Sequence, residues 1–137
     1  MPDDRPHHDG PLPDASGAVR LLVIDDDDHA RLLLKRLTAG VPEIEVCGEA
    51  ASGESGLLAL RRTRPDVVVI DWQMPGADGI EVVGRLRSRN ARLHIIGWTT
   101  SSDQAVARAF HAAGAAAVFS KHQASALVTY LRSLAAR

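Results

Sequence analysis

Cysteine is almost missing from this chain of 137 residues: Cys47 stands alone. No internal disulfide can form, which suits a reducing compartment, and the thiol reads as a small apolar residue in a strand. Long apolar runs are missing too, since none approaches the roughly 20 residues that span a bilayer. The opening residues, MPDDRPHHDG, lack the basic and then apolar layout of a secretory leader. Charge of one sign is not in excess. The formal net charge is −1, which removes any global electrostatic case for nucleic acid or an anionic membrane. The expectation is a cytoplasmic chain with no membrane and no direct nucleic-acid partner. Lysine is the last scarcity: the basic residues are 14 arginines and 2 lysines, Lys35 and Lys121, so each lysine invites a question.

What is present has a clear rhythm. Residues 1–18 hold four Pro, four Asp and two Gly and are expected to form a disordered N-terminal tail. Residues 19–137 are expected to form one α/β domain, with no second domain after Arg137. Arg20 to Ile24 is a short apolar run stopped by four aspartates, the texture of a strand buried on both faces. Ala30, Leu33, Leu34 and Leu37 recur at helical spacing, and Gly40 with Pro42 ends that helix. Ile44 to Gly48 reads as a half-polar edge strand. Ser52 caps a helix carrying Leu57, Leu58 and Leu60, stopped before Pro65. Val67 to Ile70 is β-branched throughout and ends at Asp71. Met74 to Gly79 is a turn, and Ile80, Val83 and Leu86 mark the helix after it. Leu93 to Trp98 is a fourth strand, and a helix starting at Ser102 carries Val106, Ala109, Phe110 and Ala113 up to Gly114. Ala116 to Phe119 is a fifth strand, and Leu127, Tyr130, Leu131 and Leu134 define the last helix. Five such alternations predict a doubly wound parallel sheet with helices on both faces and right-handed crossovers.

Ligand sites in this architecture lie beyond the carboxyl ends of the strands. The first strand ends in Asp25-Asp26-Asp27-Asp28, the third in Asp71, the fourth in Thr99-Thr100-Ser101-Ser102 and the fifth in Ser120-Lys121. Acids, hydroxyls and one of the two lysines therefore fall on one edge. Three carboxylates held close together cannot all stay ionised without compensation, so their pKa values rise or a cation binds. An open cluster of oxygen ligands suits Mg²⁺ or Mn²⁺. An aspartate can act as nucleophile to form an aspartyl phosphate, and phosphoryl transfer asks mainly for positioning and charge stabilisation.

These residues resemble bacterial response-regulator receiver domains from about Val19 to Leu134. The likeness is carried by Val23-Ile24-Asp25-Asp26 with Arg31 beyond it, and by Pro65-Asp66 through Asp71-Trp72-Gln73-Met74-Pro75-Gly76 to Asp78-Gly79. Thr99 stands fifteen residues before Gly114, and Lys121 seven after it, both family spacings. The resemblance implies a flavodoxin-like sheet of strand order 2-1-3-4-5. It implies Asp71 as phosphoacceptor, Asp25 and Asp26 as the acidic pair of a metal site and Gln73 as donor of a backbone carbonyl to that metal. Thr99 corresponds to the switch hydroxyl and Lys121 to the lysine that pairs with the phosphoryl group. The implied partners are a sensor histidine kinase or histidine phosphotransfer protein and a downstream protein target. Output would be a protein contact around the fourth and fifth helices, homodimerisation or phosphoryl relay, from a stand-alone regulator that is not itself an enzyme. Two positions depart from the family: Val118 stands where an aromatic is frequent, with Phe119 on the opposite face of the strand, and His122 follows the lysine where proline is frequent.

Plainer roles account for other residues. Asp27 and Asp28 suit a helix cap, Asp66 and Asp78 a turn or cap, and Gly79 the entry to a helix. Trp72 is expected to lie partly exposed beside the metal, and Trp98 flanks the site as a candidate core aromatic. His7, His8 and Asp9 read as solvated tail, Lys35 as a solvated lysine, and His29, His94, His111 and His122 carry no ligand spacing. Lys121, in contrast, ends a buried strand in a chain that prefers arginine, whose fork would not fit the same place. Two other functions compete. A phosphatase of the haloacid-dehalogenase type would use Asp25-x-Asp27 on the first strand, and a degenerate receiver would bind partners without phosphorylation.

Overall fold

The computed structural model describes residues 17–135. Five parallel strands form the sheet: β1 (Val19–Ile24), β2 (Ile44–Ala50), β3 (Val67–Ile70), β4 (His94–Thr99) and β5 (Ala117–Ser120). Their order is β2-β1-β3-β4-β5, the doubly wound order 2-1-3-4-5. Five helices alternate with them: α1 (Asp28–Thr38), α2 (Gly53–Thr63), α3 (Gly79–Arg89), α4 (Gln104–Ala113) and α5 (Ala124–Ala135). Residues 1–16 of the expected tail lie outside the described residues.

The strands pair as they do because their side chains alternate between two apolar layers. Val68 and Ile70 of β3 face Leu60 of α2, Val82, Val83 and Leu86 of α3, and Val106 and Phe110 of α4. Val67 and Val69 face the other way, onto Ala30 and Leu34 of α1 and Leu127 and Leu131 of α5. Being buried on both faces, β3 has no polar position to give up, which is why its sequence is an unbroken β-branched run. Strand β2 lies at the edge and is accordingly half-polar. Asp66 does not cap a helix; its carboxylate accepts the Arg20 N–H at 2.8 Å and ties the start of β3 to β1.

Several local expectations shift. Leu33, Leu37 and Leu58 are exposed, while Leu34 and Leu60 fill the core, so the true faces of α1 and α2 are narrower than the leucine spacing implies. The fourth helix begins two residues late, because Asp103 and not Ser102 is the N-cap, its carboxylate accepting Ala105 N–H. A 3-10 turn at Lys121–Gln123 precedes α5. The segment Met74–Gly79 holds more than a turn: Gln73–Met74 pairs antiparallel with Ala77–Asp78, closed through Gly76 at φ 79°. Lys35 is not merely solvated, for its ammonium sits 2.6 Å from Glu49 of the edge strand.

Candidate functional site

The carboxyl edge of the sheet brings together residues from four separate stretches of chain. In β1 the last backbone-paired residue is followed by Asp25, fully buried, whose N–H donates to Ala50 O at 2.9 Å. Asp71 follows β3 in the same way, its N–H donating to Ile24 O at 3.0 Å. One carboxylate oxygen each from Asp25, Asp26 and Asp71 lies within 4.8 Å of the others. Lys121 arrives from the end of β5 with its Nζ 2.6 Å from Asp25 Oδ2 and 3.5 Å from Asp71 Oδ1. Asp25 Oδ2 accepts no hydrogen bond of regular geometry and is compensated by that ammonium. Asp25 Oδ1 accepts Asp27 N–H, and Asp71 Oδ1 accepts Trp72 N–H at 2.8 Å.

Three carboxylates against one ammonium leave the cluster short of positive charge. Burial, and then the neighbouring Asp25 charge, push the Asp71 carboxyl up to about 6 against the opposing pull of Lys121. Oxygen-only donors, converging and under-neutralised, are the donor set of a hard divalent cation such as Mg²⁺. Asp25, Asp26 and Asp71 fit that group.

The remaining expected residues are placed unequally. Thr99 is buried at the end of β4, its Oγ accepting Ser101 N–H at 3.1 Å, on the same sheet edge as the acids. Gln73 is exposed in the short ribbon two residues beyond Asp71. Trp72 is half-buried directly after Asp71, as expected. Asp27 turns away: it caps α1 through His29 N–H and stays out of the cluster, which leaves the Asp25-x-Asp27 arrangement of the phosphatase alternative unformed. Asp78 caps α3 through Glu81 N–H.

Matches to known proteins agree with this geometry. Residues 21–132 fit the sequence pattern described as the response regulator receiver domain. The chain belongs to the response-regulator receiver family. The chain is 33% identical over 103 residues to response regulator GacA of Pseudomonas viridiflava, covering 75% of this chain and 48% of GacA. It is 36% identical over 99 residues to a protein-glutamate methylesterase/protein-glutamine glutaminase of Nocardioides sp., covering 72% of this chain and 27% of that protein. The chain thus spans less than half the length of these relatives. A crystal structure of a LuxR-family two-component response regulator from Aurantimonas sp. superposes with a TM-score of 0.80 at 29% identity, over 87% of this chain and 86% of that one. Receiver domains are in general non-enzymatic phosphoacceptors of two-component signalling; they bind Mg²⁺ at an acidic pocket and interact with histidine kinases or phosphotransfer proteins. Among the described residues no helix is long and apolar enough to cross a membrane.

Three residues of this receiver support the site through contacts that their places in the sequence did not specify. Gly79 opens α3 with its N–H on Trp72 O at 2.6 Å, so close that a Cβ there would overlap the Asp71 carbonyl. Arg31 reaches back from α1 to donate to the Asp25 carbonyl while pairing with Asp28 and, at 2.9 Å, with Glu49. It thereby braces the acidic loop against the edge strand. Trp98 lies under the Lys121 ammonium, 5.5 Å from its ring centroid. Arg31 and Gly79 stand within the stretches that carry the family likeness, but the contact each of the three makes depends on what the fold sets opposite it.

The Asp71 shift predicts a dependence of stability on pH. Below its ordinary value of 3.8 Asp71 is protonated in both folded and unfolded chains. Between there and about 6 the unfolded chain releases the proton while the fold still holds it, so stability falls as pH rises through that window. Above it the folded chain carries a full, unfavourable charge worth roughly 2–3 kcal/mol. Urea melts without divalent cations should therefore find Asp71→Asn more stable than wild type at pH 7.5 and equal to it near pH 4. A constant difference across that range would exclude this titration.

Proposed function

We propose that Asp71 accepts a phosphoryl group from the phosphohistidine of a sensor kinase or phosphotransfer protein. The observation that carries this is the meeting of Asp71 with Asp25, Asp26 and Lys121 at the carboxyl edge of the sheet. An Asp71 carboxylate oxygen forms the new O–P bond while the donor P–N bond breaks, and the electron pair leaves with the imidazole, which takes up a proton. Above about 6 Asp71 is largely ionised and so competent as a nucleophile. Asp25, Asp26, Asp71 and the Gln73 backbone carbonyl would hold Mg²⁺ or Mn²⁺, which supplies neutralisation of the phosphoryl charge. Lys121 pairs with a phosphoryl oxygen from its place beside Asp71, and the Thr99 hydroxyl donates to another.

The consequence is a change of surface around α4 and α5 that a protein partner reads, or relay of the phosphoryl group onward. Val118, with its aromatic neighbour Phe119 packed on the opposite face of the sheet, leaves beside Thr99 a recess of about 350 Å³ lined by Ala107, Val118 and Gln123 among others. The readout in this chain therefore proceeds without a ring at position 118.

The direct test is incubation with acetyl phosphate and Mg²⁺, or with a phosphorylated histidine kinase, followed by intact-mass measurement. A phosphorylated species that needs the divalent cation supports the reading; wild type that stays unlabelled with every donor sinks it and revives a purely binding receiver. A second expectation concerns Trp72, whose N–H already bonds Asp71 Oδ1. Saturating Mg²⁺ should alter tryptophan emission, acetyl phosphate should add a further change, and Trp72→Phe should remove both. Emission indifferent to Mg²⁺ would place the cation elsewhere.

A further inference from the structure

The two tryptophans of the chain lie in unlike surroundings. Trp98 is among the largest fully buried side chains, 1% exposed, in the layer between the sheet and helices α1 and α5. Its indole Nε1 is buried with no hydrogen-bond partner. A buried donor left unpaired is unfavourable, and phenylalanine would supply an apolar ring at this position without one. Packing alone therefore does not explain the indole.

What the indole offers beyond phenylalanine is the strongest cation-binding face among the aromatic side chains. That face is in use. Trp98 is paired in register with Phe119 on β5, and Lys121 leaves the same strand two residues later. The lysine side chain, 14% exposed, brings its Nζ to 5.5 Å from the Trp98 centroid while Asp25 lies at 2.6 Å and Asp71 at 3.5 Å. The ammonium is thus enclosed by two carboxylates and an aromatic face.

We propose that Trp98 is a positioning residue: its indole face seats the Lys121 ammonium between Asp25 and Asp71. A lysine stem has four rotatable bonds and needs restraint on more than one side to present its charge at one place. The carboxylates pull it toward the metal-binding edge, and the ring keeps it from leaving that edge for solvent. The seat does not depend on phosphorylation. Its consequence for phosphoryl transfer rests on the reading of Asp71 and Lys121 given above.

Two measurements separate these layers. In a Trp72→Phe background Trp98 is the one remaining indole, and adding Lys121→Met removes the ammonium over its face. Emission intensity and lifetime should change between the two proteins; identical emission would overturn the seat. In the second measurement, acetyl phosphate labelling with saturating Mg²⁺ should slow about threefold in Trp98→Phe and about tenfold in Trp98→Leu, the range of a partly desolvated cation–π contact. The unfolding midpoint of Trp98→Phe should fall only slightly, because the cavity left by the smaller ring is offset in part by loss of the unpaired donor. A merely structural Trp98 would not separate labelling from stability in that way, so Trp98→Phe labelling at the wild-type rate would also overturn the proposal. If wild type itself is never labelled, the phosphoacceptor reading fails, and the emission comparison still decides the seat.

Discussion

Replacing Asp71 by asparagine should abolish incorporation of phosphate, by at least about a thousandfold in rate, which corresponds to roughly 4 kcal/mol. The amide keeps the shape of the carboxylate and its acceptor for Trp72 N–H, so the loss reports the nucleophile and not the fold. No neighbour can take over. Asp25 has no exposed surface, with Oδ1 accepting Asp27 N–H and Oδ2 held by Lys121. Asp26 is exposed, and among the described ion pairs Lys121 approaches Asp25 and Asp71 instead. Peptide mapping of borohydride-trapped wild type should place the modification on Asp71. Labelling of Asp71→Asn at a comparable rate, or a label mapped to Asp26, would remove Asp71 from its assigned role.

Gly79→Ala should be the most destabilising single methyl that can be added to the site. A Cβ there would stand 2.8 Å from the Asp71 carbonyl carbon and 3.0 Å from Trp72 Cα, in addition to overlapping the Asp71 oxygen. All three are backbone atoms, so no rotamer change relieves the clash, and the start of α3 or the Asp71–Trp72 peptide must move. A loss of about 3–4 kcal/mol is expected, at the upper end for overpacking. Labelling should fall with it, since the displaced peptide carries Asp71, the proposed nucleophile. Gly84 on the same helix is the control: it is exposed, and a Cβ there meets nothing within 4 Å. Gly84→Ala should therefore stabilise by up to about 1 kcal/mol through helix propensity alone. Denaturant midpoints of the two variants decide the matter; equal midpoints would mean that the close approach at Gly79 relaxes freely.

The strands were legible because a strand buried on both faces admits few residue types. Val67 to Ile70 is read as β3 without reference to anything else, and its terminal Asp71 inherits its place from that. The same reasoning put Thr99 and Lys121 at the ends of β4 and β5. Helix faces were less legible. Leu32, Leu33 and Leu34 are consecutive, and helical spacing allows more than one of them to face inward; only Leu34 is buried. On α2, Leu57 and Leu58 offer the same ambiguity, and Leu58 is the one left outside. Ser102 and Asp103 are adjacent capping residues, and the helix chose the later. Lys35 finds Glu49 only because the edge strand passes beside α1.

By itself the sequence determined the alternation of strands and helices and the edge on which the acids gather. These follow from local rules: apolar runs interrupted by aspartates, hydroxyls and lysine at regular intervals. Tertiary structure alone decided that Lys121 rests nearer Asp25 than Asp71, that Gly79 touches the Asp71 backbone and that Trp98 lies beneath the lysine. Each is a distance between segments far apart in the chain, and residue types constrain such distances only after the sheet has brought the segments together.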